Sequence, residues 1–232
     1  MNKASFHFHG NLTDFIRIPG KVSLIDYSFA GHPSVKDAIE AIGVPHPEIK
    51  MVSANGHNIS ISEALYNGSY IEVFPFIDIP DSPGKFILDV HLGKLARFIR
   101  LLGFDALYSN HYSDKDILDV IKIEQRIVLT RDVGLLKHKA ISWGYWLRSQ
   151  DPFKQLEEVI ERFQLKKDIQ PFSRCLICNG YLHKIEKAKV HHLLPPRTQI
   201  FFHEFYQCQD CRKIYWKGSH YEHMLQQIQN LP

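Results

Sequence analysis

Phe86-Ile87-Leu88-Asp89-Val90-His91-Leu92-Gly93-Lys94-Leu95-Ala96-Arg97-Phe98-Ile99-Arg100-Leu101-Leu102-Gly103 changes its hydrophobic period partway along. Phe86 to Leu88 form an unbroken apolar run that predicts a strand ending at Asp89. From Leu92 the apolar positions take helical spacing. Leu92, Leu95, Ala96, Ile99 and Leu102 share one arc of about 120° at ~100° per residue, and Lys94, Arg97 and Arg100 fall on the opposite arc. Gly103 stops the helix. An apolar strand feeding an amphipathic helix is the repeating unit of a parallel sheet covered on both faces.

The alternation continues downstream. Ala106-Leu107-Tyr108 predicts a short strand, Ser113 to about Glu124 a helix, and Arg126-Ile127-Val128-Leu129-Thr130 a second apolar strand that ends at Asp132. Residues 141–147 predict another strand and 152–165 another helix. Residues 85–170 are therefore expected to form an α/β domain with a parallel sheet and helices on both faces.

Upstream, residues 1–80 follow a different plan. Phe6-His7-Phe8-His9-Gly10 alternates like a strand and turn, Val22 to Phe29 predicts a second strand, and Ser34 to Gly43 a short helix with Ser34 as N-cap and Asp37 completing a capping box. Lys50 to Gly56 runs as a strand into an Asn-Gly turn, and Ser69 to Phe74 closes the block, giving β-β-α-β-β in a small α+β domain. The Pro/Asp/Ser/Gly composition of 77–84 predicts a linker.

All four cysteines lie in two CxxC knuckles, Cys175/Cys178 and Cys208/Cys211, with 29 residues between them. Each knuckle lets two sulfurs reach one ion from a tight turn, and four thiolates make a closed structural Zn²⁺ shell. The alternative is two disulfides, or free thiols that happen to pair. A closed shell leaves no coordination position for a substrate, so chemistry is expected elsewhere. Residues 171–232 are thus expected to be a zinc ribbon with a short C-terminal helix around Tyr221–Gln229.

With 232 residues and 44% hydrophobic content, the chain can bury a real core. No apolar run reaches the ~18 residues of a membrane span. The opening residues show no signal-peptide pattern, which together with paired thiols suited to a reducing compartment predicts a cytoplasmic protein. Net charge is +3, unevenly spread: residues 1–80 hold 5 Lys/Arg against 8 Asp/Glu, and the remainder 23 against 17. The basic surplus suits a polyanion such as RNA or a solvated surface.

Asp89 and Asp132 both follow apolar strands, at the carboxyl ends where open parallel sheets place ligand sites. Carboxylates converging there are stable if a divalent cation such as Mg²⁺ or Mn²⁺ neutralises them, or each caps the next turn. Asp114 and Asp116 open the helix after Ser113, with Asp116 at the capping-box position. Lys94 and Arg97 are either phosphate ligands or an exposed basic face. Arg131 is either a phosphate ligand or an ion-pair partner of Asp132. Phe201, Phe202, Phe205, Tyr206, Tyr215 and Trp216, interleaved with lysines and arginines, suit either a ribbon core or base stacking.

Two resemblances add to this reading. Residues 1–80 resemble the ubiquitin-like β-grasp fold, in particular its sulfur-carrier branch, through Ser34-Val35-Lys36-Asp37-Ala38-Ile39, the Asn55-Gly56 turn and the Gly68–Pro75 strand. Sulfur carriers end in a free Gly-Gly, whereas this block runs on into Ile77–Gly84, so the resemblance implies an accessory module that recruits a protein partner. The stretch quoted above, with Ile127-Val128-Leu129-Thr130-Arg131-Asp132-Val133-Gly134-Leu135-Leu136, resembles the PIN-like nuclease domain of the Mut-seven C-terminal RNase family. A β-grasp domain, this domain and a four-cysteine ribbon in series also match that family.

The second resemblance implies metal-dependent RNA hydrolysis at Asp89, Asp114 and Asp132, with Asp105 and Asp116 as additional acids. Mg²⁺ or Mn²⁺ is the expected catalytic ion, with Zn²⁺ structural in the ribbon and RNA the substrate. The competing expectation is a catalytically silent RNA-binding adaptor in an RNA-processing or translation complex.

Overall fold

The computed structural model describes residues 1–18, 22–76, 84–219, 221 and 226. The expected linker and most of the expected C-terminal helix lie outside these residues. Two compact units emerge: residues 1–83 with 113–148, and residues 84–112 with 149–232.

In the first unit, strands β1 (Asn2–Phe8), β2 (Leu24–Phe29), β3 (Ile49–Ala54), β4 (His57–Ile59) and β5 (Tyr70–Pro75) form a sheet of order β2-β1-β5-β3-β4. β1 is antiparallel to β2 and parallel to β5, the mixed centre of a β-grasp sheet. Alternation puts Phe6, Phe8, Ile71 and Val73 on one face, where they are buried. Helix α1 (Val35–Ile42) contributes Val35, Ala38 and Ile39 to the same core. Its start is as expected: Ser34 Oγ accepts from Asp37 N at 3.1 Å while Asp37 Oδ2 accepts from Ser34 N at 3.3 Å. One strand departs from expectation. The Asn55-Gly56 turn leads into β4, which at three largely exposed residues is too short to show periodicity.

The same unit holds α3 (Asp114–Ile123), β8 (Ile127–Thr130), α4 (Val133–Leu136) and β9 (Gly144–Trp146). β8 and β9 pair in parallel, and every residue of β8 is buried, as an unbroken apolar run requires. This segment is stitched to the β-grasp residues. The fully buried Glu48 accepts from Trp146 N at 2.8 Å, His46 Nε2 contacts Ile141 O at 2.8 Å, and Arg148 Nε donates to Asp14 at 2.9 Å. Phe15 and Trp146 rings meet at 4.9 Å.

In the second unit, β6 (Lys85–Leu88) and β7 (Asp105–Leu107) pair in parallel. Between them a short 3₁₀ turn, Val90–Leu92, leads into α2 (Gly93–Leu101), whose Leu95, Ala96 and Ile99 are fully buried. Helix α5 (Pro152–Arg162) starts on Asp151, whose side chain accepts from Phe153 N and Lys154 N. It packs against α2 through Phe98 and Phe153, 6.2 Å apart and perpendicular. Strands β10 (Leu182–Ile185), β11 (Phe205–Cys208) and β12 (Ile214–Tyr215) make an antiparallel ribbon, with two short helices, α6 (Lys187–Val190) and α7 (Pro196–Phe201), between its first two strands. The chain as a whole is thus mixed α/β: a parallel sheet flanked by helices, preceded by a β-grasp domain and followed by a cysteine cluster.

Candidate functional site

The two knuckles are built alike. Cys175 N donates to Gly180 O at 2.8 Å and Asn179 N to Cys175 O at 3.0 Å; Cys208 N donates to Lys213 O at 2.9 Å and Arg212 N to Cys208 O at 3.1 Å. Asn179 and Arg212, each just after a knuckle, turn the chain at φ 72° and 61°. A Cβ on Gly180 would run into Asp210 Oδ2 and meet Cys208 Sγ at 3.0 Å, so only glycine fits there without movement. The four sulfurs lie within 4.8 Å of one another, none in a disulfide. Cys175–Cys211 and Cys178–Cys208 are 3.6 and 3.4 Å apart. Metal–sulfur bonds of ~2.3 Å in a tetrahedron require sulfurs roughly 3.8 Å apart. The donor set therefore suits a tetrahedral metal ion.

Burial pushes the Cys175 thiol up, but hydrogen bonds from Tyr215, from the Cys178 and Ile177 backbone and from Cys211 outweigh it, leaving a pKa of about 7. The same burial, with the neighbouring Cys175 sulfur, drives the Tyr215 phenol far above its ordinary value, so it stays a donor 3.1 Å from Cys175.

Arg100 supplies the largest departure from the sequence-based expectation. It was expected on an exposed basic arc with Lys94 and Arg97, yet only 3% of it is exposed. Its Nε donates to Ala106 O at 2.9 Å, and Nη1 to Leu176 O at 3.2 Å and Ile177 O at 2.8 Å, inside the first knuckle. Burial pulls its pKa down, while Cys175, Cys178 and Asp105 hold it up. Grouping Arg100 with Lys94 and Arg97 opposite the apolar arc overstated its distance: at ~100° per residue it stands only ~40° from Ala96, at the border of the apolar stripe, and that was the available signal. Asn179 completes the junction: Oδ1 accepts from Ala106 N at 3.0 Å and Nδ2 donates to Asp105 Oδ1 at 2.8 Å.

The acids have different surroundings. Asp89 closes β6, is 8% exposed, and accepts from His91 N at 2.9 Å. Asp132 is exposed after β8 and accepts from Gly134 N at 2.7 Å. Asp114 is exposed in the first turn of α3 and makes no hydrogen bond or ion pair among the described residues. Asp116 completes its capping box, accepting from Ser113 N at 2.8 Å and Ser113 Oγ at 2.6 Å, which hold its carboxyl below the usual range. Asp105 is committed to the knuckle through Asn179, with Arg174 3.5 Å away. Asp89 and Asp105 belong to one compact unit, Asp114, Asp116 and Asp132 to the other.

Beside Asp89, a polar cleft of about 570 Å³ is lined by His91, Lys94, Arg97, Tyr108 and Gln155 among others. Lys94 and Arg97 are exposed, and Tyr108 Oη donates to Val90 O at 2.9 Å. A Cβ on Gly93 would meet that hydroxyl at 2.7 Å, so the glycine lets the helix start pass under the tyrosine. Arg131 contributes its carbonyl to Trp146 Nε1 at 3.1 Å. Of the ribbon aromatics, Phe205 is fully buried, with Phe202 and Trp216 packed on its cluster, while Phe201 is 70% exposed. The candidate stacking set is therefore divided between core and surface. Phe202, Tyr215, Trp216, Phe172 and Leu101 line an apolar cavity of about 400 Å³.

Comparisons with known proteins divide the chain at nearly the same place as its sequence pattern. Residues 1–79 match the family model described as Mut7-C ubiquitin. No curated protein matches. Two solved structures of small archaeal modifier protein 1 from Haloferax volcanii are similar to part of the chain. One has 16% identity and TM-score 0.27, covering 33% of this chain and 100% of its own. The other has 15% identity and TM-score 0.27, covering 32% and 96%. Residues 84–228, which carry the strand–helix alternation, the acids Asp89, Asp114 and Asp132 and both knuckles, match the model of the Mut7-C RNAse domain, and the chain belongs to that family.

Proposed function

We propose that the chain is a metal-dependent ribonuclease that hydrolyses RNA phosphodiester bonds, with Asp89, Asp114 and Asp132 holding Mg²⁺ or Mn²⁺ and the ribbon, closed on Zn²⁺, assisting RNA binding. The observation that carries this reading is the RNAse-family match over residues 84–228, within which Asp89 sits at a strand's carboxyl end next to a cationic cleft. The three acids offer only carboxylate oxygens, the donors hard divalent cations prefer. Such an ion supplies a Lewis acid for the phosphoryl oxygen and makes a bound water more acidic. Lys94 and Arg97 place positive charge where a phosphodiester would enter, binding the chain and screening its charge. Arg131 is proposed as a further phosphate ligand. Exposed Phe201 and the cavity of Tyr215 and Trp216 offer apolar faces to bases, among Lys213 and Arg174.

The test is cleavage of a mixed RNA pool with Mg²⁺ or Mn²⁺ added or omitted. Omission is preferable to chelation, because a chelator also attacks the thiolate site. Activity should require the ion and vanish in Asp89→Asn and Asp132→Asn. Unchanged cleavage by folded variants would sink the proposal. A second reading, the silent RNA-binding adaptor, draws on the capping roles of Asp89 and Asp132 with His91 N and Gly134 N. It expects RNA affinity that falls steeply with salt and no turnover with any divalent ion. In either reading residues 1–80 are proposed to recruit a protein partner. The exposed Leu24 and Met51 are the positions to substitute in a pull-down.

A further inference from the structure

The strand alternation of the β-grasp sheet puts Phe6 and Phe8 into the core and turns His7 and His9 to the other face. In the parallel β1–β5 ladder His7 stands opposite Glu72, between the buried Ile71 and Val73. Register alone therefore assembles two imidazoles and a carboxylate on one face. One ligand atom from each of His7, His9 and Glu72 lies within 4.8 Å of the other two.

The geometry is tighter than that limit suggests. His9 Nε2 and Glu72 Oε1 are 3.2 Å apart. Two donors bound at ~2.0–2.1 Å on a tetrahedral ion are roughly 3.3 Å apart. The His9 ring is stacked on Phe74, 4.2 Å between centroids and 5° from parallel, and the His7 ring lies 4.2 Å from that of His9. The remaining atoms of the ligands are engaged in ways that fix their orientation. Tyr70 Oη contacts His7 Nδ1 at 3.2 Å, which leaves Nε2 as the ligating nitrogen, and Ser53 Oγ donates to Glu72 Oε2 at 3.2 Å. Hydrogen bonds of this kind to the non-ligating atoms are what orient metal-bound histidines and carboxylates. The side chains of His9 and Glu72 are 30% and 29% exposed, reachable by an ion yet partly shielded from water.

We propose that His7, His9 and Glu72 form a second metal site, specific for first-row divalent ions that favour imidazole, with Zn²⁺ the expected occupant. Its three protein donors leave a coordination position open, unlike the four-thiolate cluster. It is separate from the carboxylate site proposed for RNA hydrolysis and does not depend on that reading.

The experiment is metal titration of the full chain with Zn²⁺ and, in parallel, with Co²⁺ followed by absorption. The first equivalent should give the intense charge-transfer bands of thiolate ligation. A saturable second equivalent should add ligand-field intensity without further charge transfer. In His9→Ala and in Glu72→Gln, which keeps the side chain's size, the second equivalent should weaken by at least about tenfold, the loss expected even for removal of an outer-shell partner. The first equivalent should be untouched. Absence of a saturable second equivalent, or its persistence at equal affinity in the His7→Ala/His9→Ala protein, overturns the proposal.

Discussion

The four-cysteine cluster and the His7–His9–Glu72 cluster bring ligands together by opposite routes. In the ribbon, each pair of sulfurs comes from one tight turn, fixed by hydrogen bonds four and five residues apart, with an αL residue closing it. In the β-grasp sheet, the donors come from two strands far apart in sequence and meet only because β1 and β5 pair in one register. The difference teaches that a ligand set made by a turn is visible as spacing, whereas one made by a ladder is visible only once the neighbouring strands are known. The turn-made set is also part of what holds its module together, and the ladder-made set sits on a sheet that already has a core of its own.

The largest effect that would break this contrast is metal removal. Structural zinc is worth ~10–16 kcal/mol of apparent binding free energy in small modules, so Cys211→Ser should strip amide protection from β10, β11 and β12. Protection in β1, β3 and β5 should persist, and hydrogen exchange by mass spectrometry reads both. A ribbon that stays protected would mean that Val190, Leu194 and Phe205 suffice as its core.

Next is Arg100→Met, which keeps a long side chain but leaves the carbonyls of Ala106, Leu176 and Ile177 without their donor. A loss of about 3 kcal/mol in denaturant unfolding is expected. Arg97→Met, on the exposed face of the same helix, should change stability by no more than ~0.5 kcal/mol.

Gly180→Ala should cost about 1–3 kcal/mol and weaken metal binding, because its methyl meets Asp210 and Cys208. Competition with a chromogenic chelator measures the second effect. The smallest change belongs to the ladder-made site. His9→Ala in metal-free protein should move the melting free energy by only ~0.5 kcal/mol, since the residue faces away from the core.

Much of the architecture was legible before the fold. Ser34 and Asp37, Ser113 and Asp116, and the period change after Leu88 all act within a few residues, where local hydrogen bonding and side-chain direction decide the outcome. The short strand His57–Ile59 was not legible, because three exposed residues carry no period. Nor was Glu48. A lone acid between Pro47 and Ile49 gives no sign that it will be buried to accept from Trp146 N, 98 positions later.

Among the acids, Asp116 was explained by its cap in advance, and the structure bears that out. Asp105 was a candidate whose commitment to Asn179 depends on the knuckle reaching β7. Asp89 and Asp132 cap the turns after their strands and Asp114 opens α3, placements that follow from local sequence.

The sequence by itself determined the longer strands and helices, the Ser34 and Ser113 caps and the cysteine cluster, because each follows from interactions within a turn or along one strand or helix. Tertiary structure alone decided that Arg100 is buried against the knuckle while Arg97 faces solvent, that Asp105 serves the ribbon junction, and that two histidines and a glutamate share one face. The physical reason is the same in each case: which strand or turn becomes a neighbour is set by burial of the opposite, apolar side, and the polar residues inherit their partners from that choice.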